Sequence, residues 1–323
     1  MKVGVHTSPV LTSSAPKAEL HAIGLSDLRV YPIAMSGNVF GWTADVTATE
    51  AVLDNYAAAG GNFIDTADSY AAGRSEIMIG NWMRDRRNRA DMIVATKIGK
   101  SADNPGLTPA AIAAAVDASL GRLGVGYIDL LYLHIDDETV PFEETLLAID
   151  SLISAGKVRY FGGSDHTGNR LIEARIASAQ LGVAQMVAVQ NQYNLMHRSE
   201  YETGLAQVAH MQQLGVMPRF ALAGGFLTGK YRSKSDLSKG SRAAEVTKNL
   251  GKKGNRVLAA LDGVAFEQDS KPATIALAWL LTRPNVVAPV VSASSAVQVA
   301  DLVAAATIRL TRHQITELDR ASA

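Results

Sequence analysis

Short apolar runs alternate with amphipathic segments along almost the whole chain, and this alternation constrains the fold more than any other feature. The runs predict eight strands, at residues 30–35, 62–65, 92–96, 128–133, 158–161, 186–189, 216–220 and 286–291. Most of them are continuously apolar, which is typical of parallel strands that are covered on both faces. A repeated βα unit with eight strands predicts a single-domain (β/α)8 TIM barrel, whose active site lies at the carboxyl ends of the strands.

Helical patterns fill most of the stretches between these runs. In residues 108–123, Ile112, Val116 and Leu120 share one helical face and Pro109 stands at the first helical position. Similar patterns predict helices at residues 75–85, 142–155, 171–179, 201–213, 273–281 and 296–305. A doubly wound sheet is the alternative architecture, but the glycine-rich G-x-G-x-x-G turn that normally follows its first strand is not found.

The spacing of the predicted strands is regular except at one place. Strand ends follow one another at about 30 residues, as expected for βα units, but the step from Phe220 to Val291 is 291 − 220 = 71 residues. This step predicts an inserted loop and helix between strands 7 and 8, with a mobile Lys/Ser/Gly-rich part at residues 229–254. We assign residues 1–20 to a flexible leader and residues 21–323 to the barrel domain.

Composition excludes several classes of protein. The 323 residues carry 31 Lys and Arg against 31 Asp and Glu, so no global basic field for nucleic acid exists. With 47% hydrophobic residues the chain is not largely disordered. No apolar stretch reaches the eighteen or so residues of a membrane span. Cysteine is absent, which removes disulfides and thiolate chemistry and fits a reducing compartment; we therefore expect a cytoplasmic protein.

Polar residues follow three consecutive predicted strands. Asp65 ends the second strand, Tyr70 lies five residues later, Lys97 follows the third strand and His134 follows the fourth. Any one of them taken alone is equally well explained as a structural ion pair or a loop charge. Together they should converge at one rim of the barrel, which indicates a catalytic site.

Several motifs, in order, resemble the aldo-keto reductase superfamily over about residues 22–320, and the chain is similar also to its channel beta-subunit branch. The motifs lie at residues 61–80, 96–97, 129–134, 156–164, 190–195 and 222–231. The resemblance implies reversible reduction of an aldehyde or ketone by hydride transfer from NAD(P)H. Tyr70 would be the general acid, Lys97 would lower the phenol pKa, Asp65 would hold Lys97, and His134 would orient the carbonyl.

The resemblance also implies a set of cofactor-binding residues. They are Gly37, Asn38, Ser164, Asp165, Gln190, Tyr193, Arg219, Leu222, Ala223, Gly224, Lys230, Ser292, Ser294, Gln298 and Asp301. Ser164, Asp165 and Gln190 would hold the nicotinamide amide, and residues 222–224 with Lys230 the pyrophosphate. The last four would bind the adenosine phosphate end at a helix N-terminus.

Three departures from the family pattern bear on the cofactor. Asp165 stands where the family often has Asn, so only a hydrogen-bond acceptor survives there. The usual Ser-Pro-Leu is Phe220-Ala221-Leu222, preceded by Arg219. Ser295 replaces the basic residue that reads the 2′-phosphate, for which Arg219 or a loop lysine would have to compensate. NADP(H) is favoured, and NAD(H) or dual use stays open. Arg219, Lys230, Arg232 and Lys234 predict a local anion site.

Substrate contacts and competing functions complete the expectations. Asn38, Val39, Phe40 and Trp42 would line the mouth of the pocket or else pack the loop. The short tail predicts an open pocket that can admit a bulky carbonyl, and the expected partner is a small-molecule carbonyl substrate. One alternative is a metal-dependent barrel with His134, Asp136, Asp137 and Asp65 as ligands, which we disfavour because no H-x-H motif is found. Another is a cofactor-binding regulatory subunit with little turnover. The sequence does not predict the physiological carbonyl substrate, the direction of the reaction or the oligomeric state.

Overall fold

A computed structural model describes residues 18–239 and 243–323 of the chain. Residues 1–17, which make up most of the predicted leader, lie outside the described residues. The strands are β1 His21–Ala22, β2 Arg29–Val30, β3 Ala34–Ser36, β4 Phe63–Asp65, β5 Ile93–Ile98, β6 Ile128–Leu133, β7 Val158–Ser164, β8 Ala188–Gln190, β9 Gly215–Val216 and β10 Val290–Val291.

Eight of these strands form one parallel sheet in the order β10-β3-β4-β5-β6-β7-β8-β9. The two edges approach each other, because the amide of Val216 donates to the carbonyl of Asn285 at 2.8 Å and that of Val290 donates to Pro218 at 2.9 Å. These bonds close the sheet into the (β/α)8 barrel that the alternating pattern predicts.

Helices cover the outside of the sheet. They are α1 Val46–Ala58, α2 Arg74–Arg86, α3 Pro109–Leu123, α4 Phe142–Ser154, α5 Gly168–Leu181, α6 Ala206–Met211, α7 Ala243–Asn249, α8 Lys252–Glu267, α9 Pro272–Leu281, α10 Ala296–Val303 and α11 Arg312–Ser322. The largest buried cluster lies between these helices and the sheet. A second cluster, which includes Phe63, Ala95 and Leu130, fills the inside of the barrel.

The antiparallel pair β1–β2 covers one end of the barrel. Ile23, Leu28 and Val30 are buried and pack into the same cluster as Phe63, the first residue of β4. The opposite end, where β4 and β7 finish at Asp65 and Ser164, is therefore the open one. This arrangement leaves the carboxyl ends of the strands available for a site.

Three predicted strands are shorter than expected, and backbone chemistry explains this. Pro32, Pro218 and Pro289 lie inside the predicted runs, and proline has no amide hydrogen with which to continue a ladder. The first run splits into β2 and β3, and the last keeps only Val290–Val291. In the seventh, β9 stops at Val216 and Phe220 takes a φ of 52°, outside the strand region.

The insertion between β9 and β10 contains α7, α8 and α9. Residues 229–254, predicted as a mobile loop, include a 3-10 turn at Lys234–Lys239 and helix α7; residues 240–242 lie outside the described part of the chain. Throughout residues 18–239 and 243–323, the helices are all too short or too polar to cross a bilayer.

Candidate active site

The four polar residues that follow the strands are brought together at the open end of the barrel. Nζ of Lys97 on β5 lies 2.5 Å from Oδ1 of Asp65 at the end of β4, and 3.4 Å from the phenol oxygen of Tyr70. The backbone carbonyl of Thr66 accepts a further bond from the same ammonium at 2.9 Å. Gln190 at the end of β8 donates to Oδ2 of Asp65 at 2.8 Å, so both carboxylate oxygens are engaged.

The sequence predicts that Lys97 lowers the pKa of the Tyr70 phenol, but in the structure the pKa of this phenol is raised. Burial would lower the pKa of Lys97, but the charge of Asp65 and the Tyr70 phenol raise it above its ordinary value. Burial raises the pKa of Tyr70, and the nearby Lys97 only opposes that rise. The phenol is therefore held protonated at neutral pH, which is the form that a general acid requires.

His134 directly follows β6 and faces Tyr70, with the two ring centroids 6.1 Å apart in an edge-on arrangement. Burial and the positive charges of Lys97, Lys100 and Arg219 lower the pKa of His134 to about 2. Its ring is thus neutral, and a neutral imidazole donates one hydrogen bond and accepts another. Nδ1 of His134 is buried and finds no partner among the described residues.

A pocket of about 770 Å³ opens above Tyr70 and His134. Its volume lies within the range of small-molecule and cofactor sites. Fourteen of the predicted site residues line it: Asn38, Val39, Tyr70, His134, Asp165, Gln190, Arg219, Leu222, Gly224, Lys230, Ser292, Ser294, Gln298 and Asp301. Oδ1 of Asn38 is buried and unpartnered within the described residues, so it retains hydrogen-bonding capacity toward a ligand.

One part of the pocket has polar groups suited to a planar amide. Ser164 is buried behind it and donates from its hydroxyl to the carbonyl of Gln190 at 3.1 Å. Asp165 follows with a φ of 59°, a left-handed conformation, and its carboxylate accepts from Nε of Arg219 at 2.7 Å. Arg219 is thus engaged beside Ser164 and Gln190, and its contact gives no support to the suggested compensation at the 2′-phosphate.

A different part of the pocket has the character of a phosphate site. Gly224 and Gly225 take φ values of 68° and 99°, which residues with a Cβ rarely adopt. Lys230 packs near this turn, since its Cε lies 3.9 Å from the Cβ position of Gly225. Gln298 accepts from the amide of Ser294 at 2.9 Å, where helix α10 begins after β10. Backbone amides and a cation of this kind favour an anionic ligand.

Several predicted site residues do not line the pocket. Ala223 and Phe40 are buried in the hydrophobic core, while Trp42 is 58% exposed outside the pocket wall. Gly37 is a packing position, since a Cβ there would lie 2.4 Å from the Ser75 hydroxyl. Tyr193 is buried against Trp279, and its hydroxyl donates to Glu202 at 2.7 Å.

The predicted run of four cations is also split. Arg232 is held by Asp262 with two contacts of 2.7 Å and does not line the pocket, and the Lys234 side chain lies outside the described part of the chain. The sequence reasoning missed two other cations that do line it, Lys100 and Lys271. Lys100 carried a signal, because it comes three residues after Lys97 at the same strand end.

Two aspartates of the metal alternative are engaged elsewhere. Asp136 accepts from Nε of Arg170 at 2.8 Å, and Asp137 accepts from the amide of Leu107 at 2.9 Å. Among residues 18–239 and 243–323, no group of three or more His, Asp or Glu side chains is placed to hold a metal ion.

Comparison with known proteins adds an independent observation. The sequence model of the "Aldo/keto reductase family" matches residues 35–323. A "Probable voltage-gated potassium channel subunit beta" of Oryza sativa is 33% identical over 290 residues, 86% of this chain and 88% of the relative. "Norsolorinic acid reductase B" of Aspergillus parasiticus is 29% identical over 321 residues, 92% and 82% of the two chains. "Aldo-keto reductase ausK" of Aspergillus calidoustus is 30% identical over 317 residues, 90% and 78%.

Proposed function

The chain belongs to the aldo/keto reductase family of oxidoreductases, and from this membership we propose that it reduces an aldehyde or ketone reversibly to an alcohol with NADPH. The observation that carries the proposal is the position of Tyr70. Its phenol lines the pocket and has Nζ of Lys97 3.4 Å behind it, held in turn by Asp65. A buried lysine–carboxylate pair beneath a pocket phenol is an arrangement suited to proton transfer.

The roles of the side chains follow from their chemistry. Nicotinamide, when bound, supplies the hydride. Tyr70 gives its proton to the oxygen of the carbonyl group as negative charge develops there, and the Lys97 ammonium stabilises the phenolate that remains. Neutral His134 donates a hydrogen bond to the same oxygen and fixes the orientation of the carbonyl. Asp65 and the backbone carbonyl of Thr66 accept hydrogen bonds from the Lys97 ammonium and keep it charged, and the phenolate regains its proton from water that enters the pocket.

The residues that line the pocket fit a dinucleotide. Gln190 and Ser164 would hold the carboxamide, the turn at residues 222–225 and Lys230 the pyrophosphate, and Ser292, Ser294, Gln298 and Asp301 the adenosine end. The glycines with positive φ and the unpartnered Asn38 oxygen are the observations that support this fit. We place the protein in the cytoplasm, since absence of cysteine suits a reducing compartment.

Two observations favour NAD(H) as the second candidate cofactor. Ser295 replaces a cation, and the Asp301 carboxylate would repel a 2′-phosphate. Lys230 and Lys271, which line the same pocket, favour NADPH. The test is the rate of NADPH and NADH oxidation over a panel of aldehydes and ketones. We expect NADPH to give the higher kcat/KM; equal or higher values with NADH would assign the second cofactor.

The identity of 33% with the rice channel subunit favours a second candidate function, a cofactor-binding regulatory subunit with little turnover. The same panel distinguishes the two. Reduction of at least one carbonyl that depends on Tyr70 supports the enzyme. Tight NADPH binding without reduction of any compound would support the regulatory subunit.

A further inference from the structure

Three charged side chains that the proposed mechanism does not use meet inside the pocket. Nε of Arg219 donates to Oδ1 of Asp165 at 2.7 Å, and Nζ of Lys100 lies 3.8 Å from Oδ2 of the same carboxylate. Two cations therefore share one anion, and the group keeps one net positive charge. We call these three residues, Lys100, Asp165 and Arg219, the charged triad.

The two cations of the charged triad have hydrogen-bond donors that no described protein group accepts. Arg219 uses only Nε within the described residues, so its two terminal nitrogens donate to no protein group there. Lys100 makes no hydrogen bond within the same residues, and its contact with Asp165 is a long one. The Arg219 and Lys100 side chains are 28% and 40% exposed, so a ligand can reach both. A free guanidinium edge beside an ammonium suits an oxyanion.

The charged triad also lies where a substrate would be. Lys100 and Arg219 line the same pocket as Tyr70 and His134. Their positive charges both lower the pKa of His134, so they act on the same part of the pocket. The cations of the proposed phosphate site are different residues, Lys230 beside the turn of Gly225 and Lys271 at the N-cap of α9.

Asp165 explains how two cations are held together there. The backbone of Asp165 is left-handed, with a φ of 59°. Its carboxylate contacts both cations, and the negative charge reduces the repulsion between them. Because one carboxylate offsets only one of two cations, the remaining charge attracts an anionic group on a ligand. A neutral Asn at this position would leave both cations uncompensated.

We propose that Lys100 and Arg219 bind an acidic group on the substrate, so that the preferred substrates are carbonyl compounds that also carry a carboxylate. This inference rests on the proposed carbonyl reduction and names the substrate class of that same site. The carboxylate would bridge the Lys100 ammonium and the free edge of Arg219 while the carbonyl faces Tyr70 and His134.

The test compares two aldehydes of similar shape, 4-carboxybenzaldehyde and its uncharged methyl ester, methyl 4-formylbenzoate, with NADPH. The readout is the ratio of their kcat/KM values within one protein. Hydrogen bonds between charged groups are stronger than those between neutral groups, so we expect the unaltered enzyme to prefer the carboxylate about tenfold or more at low salt. Added NaCl should reduce the ratio, because exposed charges are screened.

Substitutions then assign the preference to the charged triad. Lys100→Met should lower the ratio about tenfold, because it removes one charged hydrogen-bond donor to the substrate carboxylate. The double variant Asp165→Asn/Arg219→Gln should also lower it, without leaving a pocket carboxylate that has lost its arginine. Lys252→Met removes an exposed lysine on α8, outside the pocket wall, and should leave the ratio unchanged.

The outcomes separate this inference from the proposed function. If the methyl ester is reduced in a Tyr70-dependent way and the carboxylate is not preferred, the anion subsite is refuted and the reductase assignment survives. If neither aldehyde is reduced, nor any compound of the wider panel, the proposed function itself fails. Weaker NADPH binding in Lys100→Met with an unchanged ratio would overturn the inference by assigning the cation to the cofactor.

Discussion

Lys97 and Asp65 form an ion pair of 2.5 Å whose two side chains are 1% and 0% exposed. Removing one partner should cost about 3–5 kcal/mol, because the other charge stays buried without compensation. We expect Lys97→Met to lower the urea midpoint strongly, and the double variant Asp65→Asn/Lys97→Met to be more stable than the sum of its single changes predicts. Strictly additive free energies of unfolding would show that the two charges do not interact.

Lys97 should also set the pH at which Tyr70 acts. Its positive charge opposes the rise in the pKa of Tyr70 that burial causes, so its removal should raise that pKa further. Alcohol oxidation requires the phenolate, and its rate should therefore begin to rise at a higher pH in Lys97→Met. Lys97→Arg keeps the charge and serves as the control, with a smaller displacement of the profile. An unchanged profile in Lys97→Met would contradict this coupling.

Tyr70→Phe should abolish most of the reductase activity without loss of the fold. A positioned general acid contributes about 10²–10⁴-fold to a rate, and phenylalanine keeps the ring while it removes the hydroxyl group that carries the proton. Steady-state kinetics should show this loss in kcat, while fluorescence titration with NADPH should give an unchanged Kd. Retention of the original kcat would disprove the assignment of Tyr70 as acid.

His134 should contribute no titration to the pH–rate profile between pH 5 and 9. Burial and three nearby cations lower its pKa to about 2, so the ring stays neutral throughout this range. His134→Gln keeps a hydrogen-bond donor and should retain more activity than His134→Ala, which should lose about 10²–10³-fold. An inflection near pH 6.5 that disappears in His134→Gln would show instead that a charged imidazole takes part.

The arrangement of the fold could be predicted because strands that are buried on both faces consist of continuous apolar runs, which are visible in the sequence. The first and last residues of the strands were harder to predict, since Pro218 and Pro289 interrupt hydrogen bonding inside apolar runs. Helix α11 was missed although it has a signal. Thr311 and Gln314 form a capping box, with side-chain contacts of 3.3 and 2.9 Å to each other's backbone amides.

For the site too, some features could be predicted from the sequence and others could not. Asp65, Lys97 and His134 end predicted strands, so the topology of a parallel barrel already places them at one rim. The pairing of Asp165 with Arg219 could not be read from spacing, because the two residues lie 54 positions apart and Asp165 takes a left-handed φ of 59° that the sequence does not announce. The surroundings of Tyr193 were not readable from the sequence either: its ring lies in the core, against Trp279.

Asp68 should destabilise the protein at neutral and high pH. It is 2% exposed, and burial together with the neighbouring charge of Glu76 raises its pKa from 3.8 to about 6, against the opposing charge of Arg122. Well below pH 4 the carboxyl is protonated in both the folded and the unfolded state, and no penalty exists. Between about pH 4 and pH 6 the unfolded chain ionises this carboxyl before the folded protein does, so stability falls as pH rises and the full penalty is present above pH 6.

Asp68→Asn removes this charge and should therefore stabilise the fold at pH 8. A rise of about two pKa units corresponds to a gain of up to about 3 kcal/mol. Urea unfolding at pH 4 and pH 8 measures the effect, and the gain should be much larger at pH 8, because the unfolded chain has only begun to ionise at pH 4. Asp103→Asn replaces an exposed carboxylate and should change stability little at either pH. A loss of stability at pH 8, or an equal gain at both pH values, would show that the Asp68 charge is not penalised by burial.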